Sequence, residues 1–455
     1  MEWKAPWITR RKGILAAWLG ETGLAVAAFT LLYSRWFGVS PKVDLEVIGA
    51  SVVWFMTSYI SGRYQLESVE PTDNRYSRWL RIPARLAIVW LVTMITVVIF
   101  SWLDGDFQFG PKQPLFVTSY FITLAILSGA AECLARERAE RGFKTRTVLI
   151  LSEEEYNACR KWIKRLDSMV KESCLVYMDD DPKVAQVLRK STNVSCYVVG
   201  EGLSRSPKMR DIVVTAKSGG KKIVDIMDWM ESRWGIVPLG LVCDRWLTSS
   251  QGFQISRHGT EGKVKRLGDI MVSCMLIVVT LPVCIVACAG IAMEDGHSPF
   301  YSQKRTGKGG KIITIWKLRT MRKDAEKNGV KWAEHSDSRV TRIGRFLRRT
   351  RIDELPQLIN VLRGDLSLIG PRPERPELEV RIEKEVPYYS LRRCVRPGLS
   401  GWAQVCYKYG NSIEDTRAKL EYDLFYIQYG GLWLDLLIAV KTIRTVLGTG
   451  EYAGI

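Results

Sequence analysis

Two carboxylates stand side by side in Asp353-Glu354-Leu355-Pro356-Gln357. The stretch follows Arg345, Arg348, Arg349 and Arg351 and shortly precedes Gly370-Pro371-Arg372-Pro373-Glu374. Adjacent acids among guanidiniums suit a phosphate substrate handled with a divalent metal. One acid can attack or relay a proton while the other holds Mg²⁺, and arginines grip phosphoryl oxygens through paired donors. Helix capping is the bland reading of an Asp-Glu pair, and the flanking arginines and Pro-Arg-Pro turn argue for chemistry beyond it. Asp353 is expected as an N-cap and Glu354 in the first turn of a helix that tolerates Pro356, where free backbone N–H groups can meet phosphate.

The elements that must position this pair read as membrane-associated. From Thr341 to Leu347, apolar Ile343, Phe346 and Leu347 are set against Arg342, Arg345 and Arg348, predicting an amphipathic helix at a bilayer surface. Ile270 to Met293 is apolar and, at about 1.5 Å per residue, long enough to cross a bilayer. Lys263, Lys265 and Arg266 precede it, and Lys304, Arg305, Lys308 and Lys311 follow, so both ends are expected on one side. Pro282 near its middle removes one helical hydrogen bond. The reading therefore favours a re-entrant helix over about 266–293, broken at Pro282, above a further span. Thr280 is placed to satisfy a freed carbonyl. Leu432 to Leu447 fits an interfacial helix or a packed domain helix, with membrane contact favoured.

Four apolar stretches occupy the first third, at about 13–33, 46–61, 82–103 and 114–134. Basic residues crowd the segment before the first stretch, the second loop and the segment after the fourth, whereas the third loop carries Asp104 and Asp106. That alternation predicts a multi-pass protein of the cytoplasmic membrane, with everything after residue 135 on the cytoplasmic face. Residues 145–257 read as α/β. Strands are expected at Thr147–Leu151, Cys174–Tyr177, Cys196–Val199 and Asp211–Val214, with a helix from Glu153 to Val170 and a parallel sheet overall. The turn after the first strand is Ser152-Glu153-Glu154-Glu155, with no GxGxxG, and three carboxylates there would repel a pyrophosphate. The expected fold class is thus membrane α plus α/β. Residues 1–142 form a four-helix transmembrane bundle and 143–257 a cytoplasmic Rossmann-like domain. Residues 258–455 form an α/β-type catalytic domain with the re-entrant helix and interfacial amphipathic helices.

The formal charge of +18 fits anionic lipid and phosphate substrates, together with the positive-inside bias, and no nucleic-acid module accompanies it. Ten cysteines without CxxC or His/Cys ligand spacing indicate neither a zinc site nor a disulfide framework, and the three histidines are isolated.

Further motifs extend the pattern. Thr314-Ile-Trp-Lys317-Leu-Arg319-Thr-Met321 and Arg339-Val-Thr-Arg342-Ile-Gly-Arg345-Phe-Leu-Arg348-Arg349 precede the acidic pair. Gly364-Asp365-Leu-Ser-Leu-Ile-Gly-Pro-Arg-Pro-Glu374, Arg396-Pro-Gly-Leu-Ser-Gly-Trp-Ala-Gln404 and Lys419-Leu-Glu-Tyr-Asp423 follow it. In this order and spacing, the tail from about Gly262 resembles the bacterial sugar transferase domain of the monotopic phosphoglycosyl transferases. With the spans and sheet domain ahead, the whole chain resembles the long form that primes capsule, O-antigen or exopolysaccharide synthesis. Two features depart from the pattern: Leu281-Pro282 stands where the family usually bends at Ser-Pro, and the central domain lacks a glycine-rich turn.

The resemblance implies transfer of a sugar-1-phosphate from a UDP-sugar, with UDP-galactose or UDP-glucose the lean, to undecaprenyl phosphate, with release of UMP. It casts Asp353 as nucleophile and Glu354 as a ligand of Mg²⁺ or a base for the lipid phosphate. Lys317, Arg348 and Arg372 match positions that grip phosphate. Asp423 matches a further acidic position, a candidate metal ligand beside Glu354. Arg319, Arg345, Arg349 and Arg351 read equally well as anchors to anionic headgroups. A non-covalent ternary-complex transferase and an inactive membrane scaffold of polysaccharide assembly are the rival readings. Membrane lipids are expected partners, nucleic acid is not, and a homodimer through the membrane and central domains is left open.

Overall fold

The computed structural model describes residues 146–170, 174–178, 194–200, 207–242, 260–322, 339–407 and 412–446, with scattered positions elsewhere. The chain divides into two compact units, Met1–Arg233 and Trp234–Ile455.

In the first unit a parallel sheet runs in the order β2-β1-β3-β4, formed by β1 (Arg146–Leu151), β2 (Cys174–Met178), β3 (Val194–Val199) and β4 (Ile223–Asp225). Val148 to Leu151 are fully buried, as a continuous apolar run in a sheet covered on both faces must be. Helices α1 (Glu153–Val170), α2 (Pro207–Ser218) and α3 (Ile226–Trp234) complete the described elements. The strand expected at Asp211–Val214 is instead part of α2. Its apolar triplet reads as a strand in isolation, but Pro207 at the first helical position starts a helix there. At the N-terminus of α1, Ser152 and Glu155 cap each other. The Glu155 carboxylate accepts from Ser152 N (2.8 Å), and Ser152 Oγ accepts from Glu155 N (3.3 Å). A Cβ on Gly200, just past β3, would lie 1.8 Å from the Glu155 carboxylate. The crevice at the carboxyl ends of β1 and β3, where parallel sheets take nucleotide phosphates, is thus filled by the protein's own acid.

In the second unit, helix α4 (Thr260–Asp295) is long and apolar enough to cross a membrane, and among the described residues it alone is. The four apolar stretches of the first third lie almost wholly outside the described residues. Among the described residues, the expected four-helix bundle and multi-pass placement are corrected to this single candidate membrane helix. The re-entrant break is corrected as well, because α4 runs without interruption through Pro282. Proline removes the bond to the carbonyl of Val278. Thr280 Oγ1 donates to Leu276 O (2.7 Å), not to that carbonyl, and the helix absorbs the lost bond without breaking.

Both ends of α4 pack against the same unit. Near its start, Arg266 donates to Val361 O (2.6 Å) and Leu362 O (2.8 Å). Buried Asp269 accepts from Ser367 Oγ (2.8 Å) and Leu368 N (3.3 Å). Near its end, Ala287 and Ile291 join a cluster with Leu318 and Leu347. Between these anchors Met271, Val278, Val279 and Val286 are each more than half exposed, an apolar surface that belongs in lipid.

Among the described residues, the rest of the unit holds two two-stranded sheets surrounded by helices. Strands β5 (Phe300–Thr306) and β6 (Ile312–Leu318) form an antiparallel hairpin, and β7 (Ser367–Ile369) pairs in parallel with β8 (Gly398–Ser400). Around them lie α5 (Arg342–Thr350), α6 (Gln357–Arg363), α7 (Pro376–Glu385), α8 (Trp402–Cys406), α9 (Ile413–Tyr429) and α10 (Leu432–Val446). On α5, Leu347 is buried and Ile343 lies against Gly290 of α4, while Phe346 remains exposed. On α10, Leu434, Leu437, Ile438 and Val440 are buried, while Leu432, Trp433, Leu436 and Ile443 remain exposed.

Candidate active site

Strand periodicity aims the first cation. On β6 alternate side chains share a face, so Ile313, Ile315 and Lys317 point the same way. Ile313 and Ile315 pack on Val361 and Leu366, which draws the lysine inward with them. The strand is pinned to α6 by one side chain: Asn360 Nδ2 donates to Thr314 O (2.7 Å), and its Oδ1 accepts from Trp316 N (3.1 Å). Asn360 thus copies a neighbouring strand's hydrogen bonds from within a helix. Sequence reading missed it, although an amide in the otherwise apolar run Leu358-Ile359-Asn360-Val361-Leu362 was the available signal.

The acids come from the turn between α5 and α6. Thr341 caps α5 by accepting from Gly344 N (2.9 Å), and the Glu294 carboxylate at the end of α4 accepts from Arg342 N (2.8 Å) and Ile343 N (3.1 Å). Helix α5 stops at Arg351, whose backbone is left-handed (φ 60°). A single 3₁₀ turn, Ile352–Glu354, then carries both carboxylates into the interior. Asp353 therefore sits inside this turn, and α6 starts later, at Gln357 behind Pro356. That corrects the expected N-cap role.

Glu354 is the hub of a cation cluster. Its carboxylate meets Lys317 Nζ (3.3 Å), Arg351 Nη1 (3.7 Å) and the guanidinium of Arg372, which binds both oxygens. Burial opposes its charge, but Arg372 and Lys317 outweigh burial and hold the carboxyl well below the usual range. Asp353, also buried, has no such partner, and its Oδ1 makes no hydrogen bond. Burial and then the neighbouring Glu354 charge push its carboxyl up to about 6, against the pull of Lys317, Arg351 and Arg372. Burial lowers the Lys317 ammonium, while Glu354 raises the Arg372 guanidinium.

The structure thus gathers Asp353, Glu354, Lys317 and Arg372, and adds Arg351. Arg348 is turned away: its Nε donates to Thr320 Oγ1 (2.8 Å) beyond the end of β6. Arg345 and Arg349 are exposed. Asp423 on α9 is buried and bound to Arg392 Nε (2.8 Å). Glu354 and Asp423 are each already satisfied by cations, so they do not fit a divalent ion as a ligand pair. No group of three metal-ligating side chains occurs among the described residues. Arg372 leaves β7 through Gly370-Pro371. Gly370 lies so close to the paired strand that a Cβ on Gly398 would fall 2.1 Å from its backbone nitrogen.

A buried carboxylate beside a surplus of cations, on a unit bearing one exposed apolar helix, forms a site whose charge suits anionic groups. A model of the bacterial sugar transferase family matches residues 260–449, which contain that whole site. The chain is 45% identical over 184 residues to a UDP-N-acetylgalactosamine-undecaprenyl-phosphate N-acetylgalactosaminephosphotransferase of Aeromonas hydrophila, covering 40% of this chain and 44% of that protein. It is 40% identical over 187 residues to a UDP-glucose:undecaprenyl-phosphate glucose-1-phosphate transferase of Caulobacter vibrioides, covering 41% and 70%. To the protein of that same description from Escherichia coli it is 35% identical, covering 41% and 40%. The chain belongs to the bacterial sugar transferase family. The matched part spans less than half of the Aeromonas and Escherichia relatives.

Proposed function

We propose that the protein transfers a sugar-1-phosphate from a UDP-sugar to undecaprenyl phosphate and so primes synthesis of a surface polysaccharide. The observation that carries this reading is the contrast within the acidic pair. Glu354 is neutralised by Lys317, Arg351 and Arg372, whereas Asp353 keeps a buried oxygen with no partner.

Two steps follow from that contrast. An oxygen of ionised Asp353 attacks the β-phosphorus of the UDP-sugar. The bond from that phosphorus to the bridging oxygen breaks, its electron pair leaves with UMP, and the phosphosugar remains on the carboxylate as an acyl phosphate. A phosphate oxygen of undecaprenyl phosphate then attacks the same phosphorus, frees Asp353 and forms the diphosphate-linked sugar. Dividing one displacement between anions into two lets a single set of cations serve both. Lys317, Arg351 and Arg372 stabilise charge on the equatorial oxygens, most strongly where water is excluded. The exposed apolar length of α4 keeps the unit at the lipid in which the acceptor resides.

The relatives divide between N-acetylgalactosamine and glucose, so UDP-glucose, UDP-galactose and UDP-N-acetylgalactosamine are the donors to compare. The full chain is given each donor, labelled in the β-phosphate, without lipid acceptor. Release of about one equivalent of UMP, with label on a peptide containing Asp353 and none in Asp353→Asn, is expected. UMP appearing only after polyprenyl phosphate is added would replace the covalent route with a ternary complex. Silence with lipid present would leave a scaffold.

A further inference from the structure

Arg372 stands between two prolines, so the segment that presents it has few backbone donors with which to anchor itself. It is held instead through its carbonyls. Pro371 O accepts from Gly398 N (2.9 Å) and Glu374 O from Thr306 N (3.0 Å), while the carbonyl of Arg372 itself accepts from Arg392 Nη2 (2.7 Å). Arg392 lies in the turn Tyr389–Cys394 and commits its remaining nitrogens elsewhere: Nε donates to Asp423 Oδ2 (2.8 Å), and Nη1 donates to the Tyr389 hydroxyl.

A guanidinium is planar, so three bonds in three directions fix its position and its tilt together. Asp423 is 2% exposed and projects from α9, a helix begun by a full capping box between Ser412 and Asp415. A rigid helix thus holds an acid, the acid holds Arg392, and Arg392 holds the backbone from which Arg372 reaches Glu354.

Resting on the transferase reading above, we propose that Arg392 is a positioning residue for Arg372, locked in place by Asp423. The acid's task is this anchoring and not metal ligation. Arg392 touches no reacting atom. It sets the Arg372 guanidinium against the donor phosphates, so its loss is felt only through Arg372. Lysine at 392 keeps the charge but cannot span Asp423, Tyr389 and the Arg372 carbonyl at once.

The test is a double-mutant cycle on full-length protein in lipid, following UMP release from the preferred UDP-sugar with polyprenyl phosphate. Arg392→Lys is expected to lower kcat/KM about 100-fold, the scale of a misplacement of about 1 Å, with a raised KM for the UDP-sugar. Arg372→Lys with Arg392→Lys should lose no more than Arg372→Lys alone. Tyr389→Phe, which removes one hydroxyl and spares the fold, should give the same change at smaller size. Asp423→Asn should leave the Mg²⁺ concentration for half-maximal activity unchanged while raising KM. Additive losses in the cycle, wild-type kinetics in both Tyr389→Phe and Arg392→Lys, or a raised Mg²⁺ requirement in Asp423→Asn would each overturn the proposal. A wild-type protein that turns over no UDP-sugar would sink the transferase reading itself, an outcome separable from all of these.

Discussion

Asp353 and Glu354 share a peptide bond and a buried turn, yet their carboxyls are driven in opposite directions. Burial and the adjacent charge push Asp353 up to about 6, while Arg372 and Lys317 overcome burial at Glu354 and hold it well below the usual range. A pair of like acids so divided can work as one permanent anion that organises cations and one that gains and loses its proton near neutrality.

The pH dependence follows from Asp353. The kcat/KM profile for UMP release should fall on the acid side with an apparent pKa near 6. Arg351 favours the charged form, so Arg351→Gln should move that limb to higher pH. Stability runs the other way. The folded state holds the Asp353 proton more tightly than the unfolded chain does. The stability this gives is complete below about 3.8 and is lost as pH rises through about 6. Asp353→Asn should therefore abolish label transfer while raising the melting temperature at pH 8. A melting temperature lower than wild type at pH 8 would contradict the burial argument.

Glu354→Gln removes the anion that three cations share. Breaking a buried pair costs roughly 3–5 kcal/mol, and solvent screening at Arg372, 36% exposed, brings this one below that range, to about 2–3 kcal/mol. Chemical denaturation should show that loss at neutral pH, with phosphate in the buffer restoring part of it by supplying a replacement anion. No added protection by phosphate over wild type would mean that the cations do not converge on an anion site.

Much of this site was legible because its chemistry is local. Asp353, Glu354 and Arg372 stand out by residue type and spacing and Lys317 by the family resemblance, and Lys317 and Arg372 meet at the Glu354 carboxylate. What could not be read depends on partners far along the chain. Arg351 reads from sequence equally well as a phosphate contact or a headgroup anchor, and its left-handed backbone is what sets it beside Glu354. Asp423 looked like a ligand because its partner, Arg392, lies 31 positions away with no motif joining them. Local rules also overreached. A proline inside a helix costs one bond, which suggested a break at Pro282, but a long apolar helix anchored near both ends carries that cost within one continuous helix.

Asn360→Ala tests whether α6 positions Lys317. The substitution leaves Thr314 O and Trp316 N without their partner inside a packed layer, at about 1–3 kcal/mol for the unsatisfied groups. Because β6 carries Lys317 to Glu354, activity should fall by more than stability explains. The loss should persist at temperatures where the variant is fully folded. Full activity in folded Asn360→Ala would mean that Lys317 is placed by the hairpin alone.

Gly344→Ala probes how α5 delivers the acidic turn. A Cβ at this position would lie 2.2 Å from Thr320 O, a backbone atom that cannot rotate away, so the helix must shift off the end of β6. Overpacking of this kind costs about 1–3 kcal/mol. The shift also loosens the bond from Arg348 Nε to Thr320 Oγ1 and moves Arg351, which follows at the end of α5. The expected result is a folded protein with a raised KM for the UDP-sugar and an acid limb displaced to higher pH, because Arg351 no longer stabilises ionised Asp353. Gly344→Ala with an unmoved acid limb would show that Arg351 keeps its place independently of the helix that presents it.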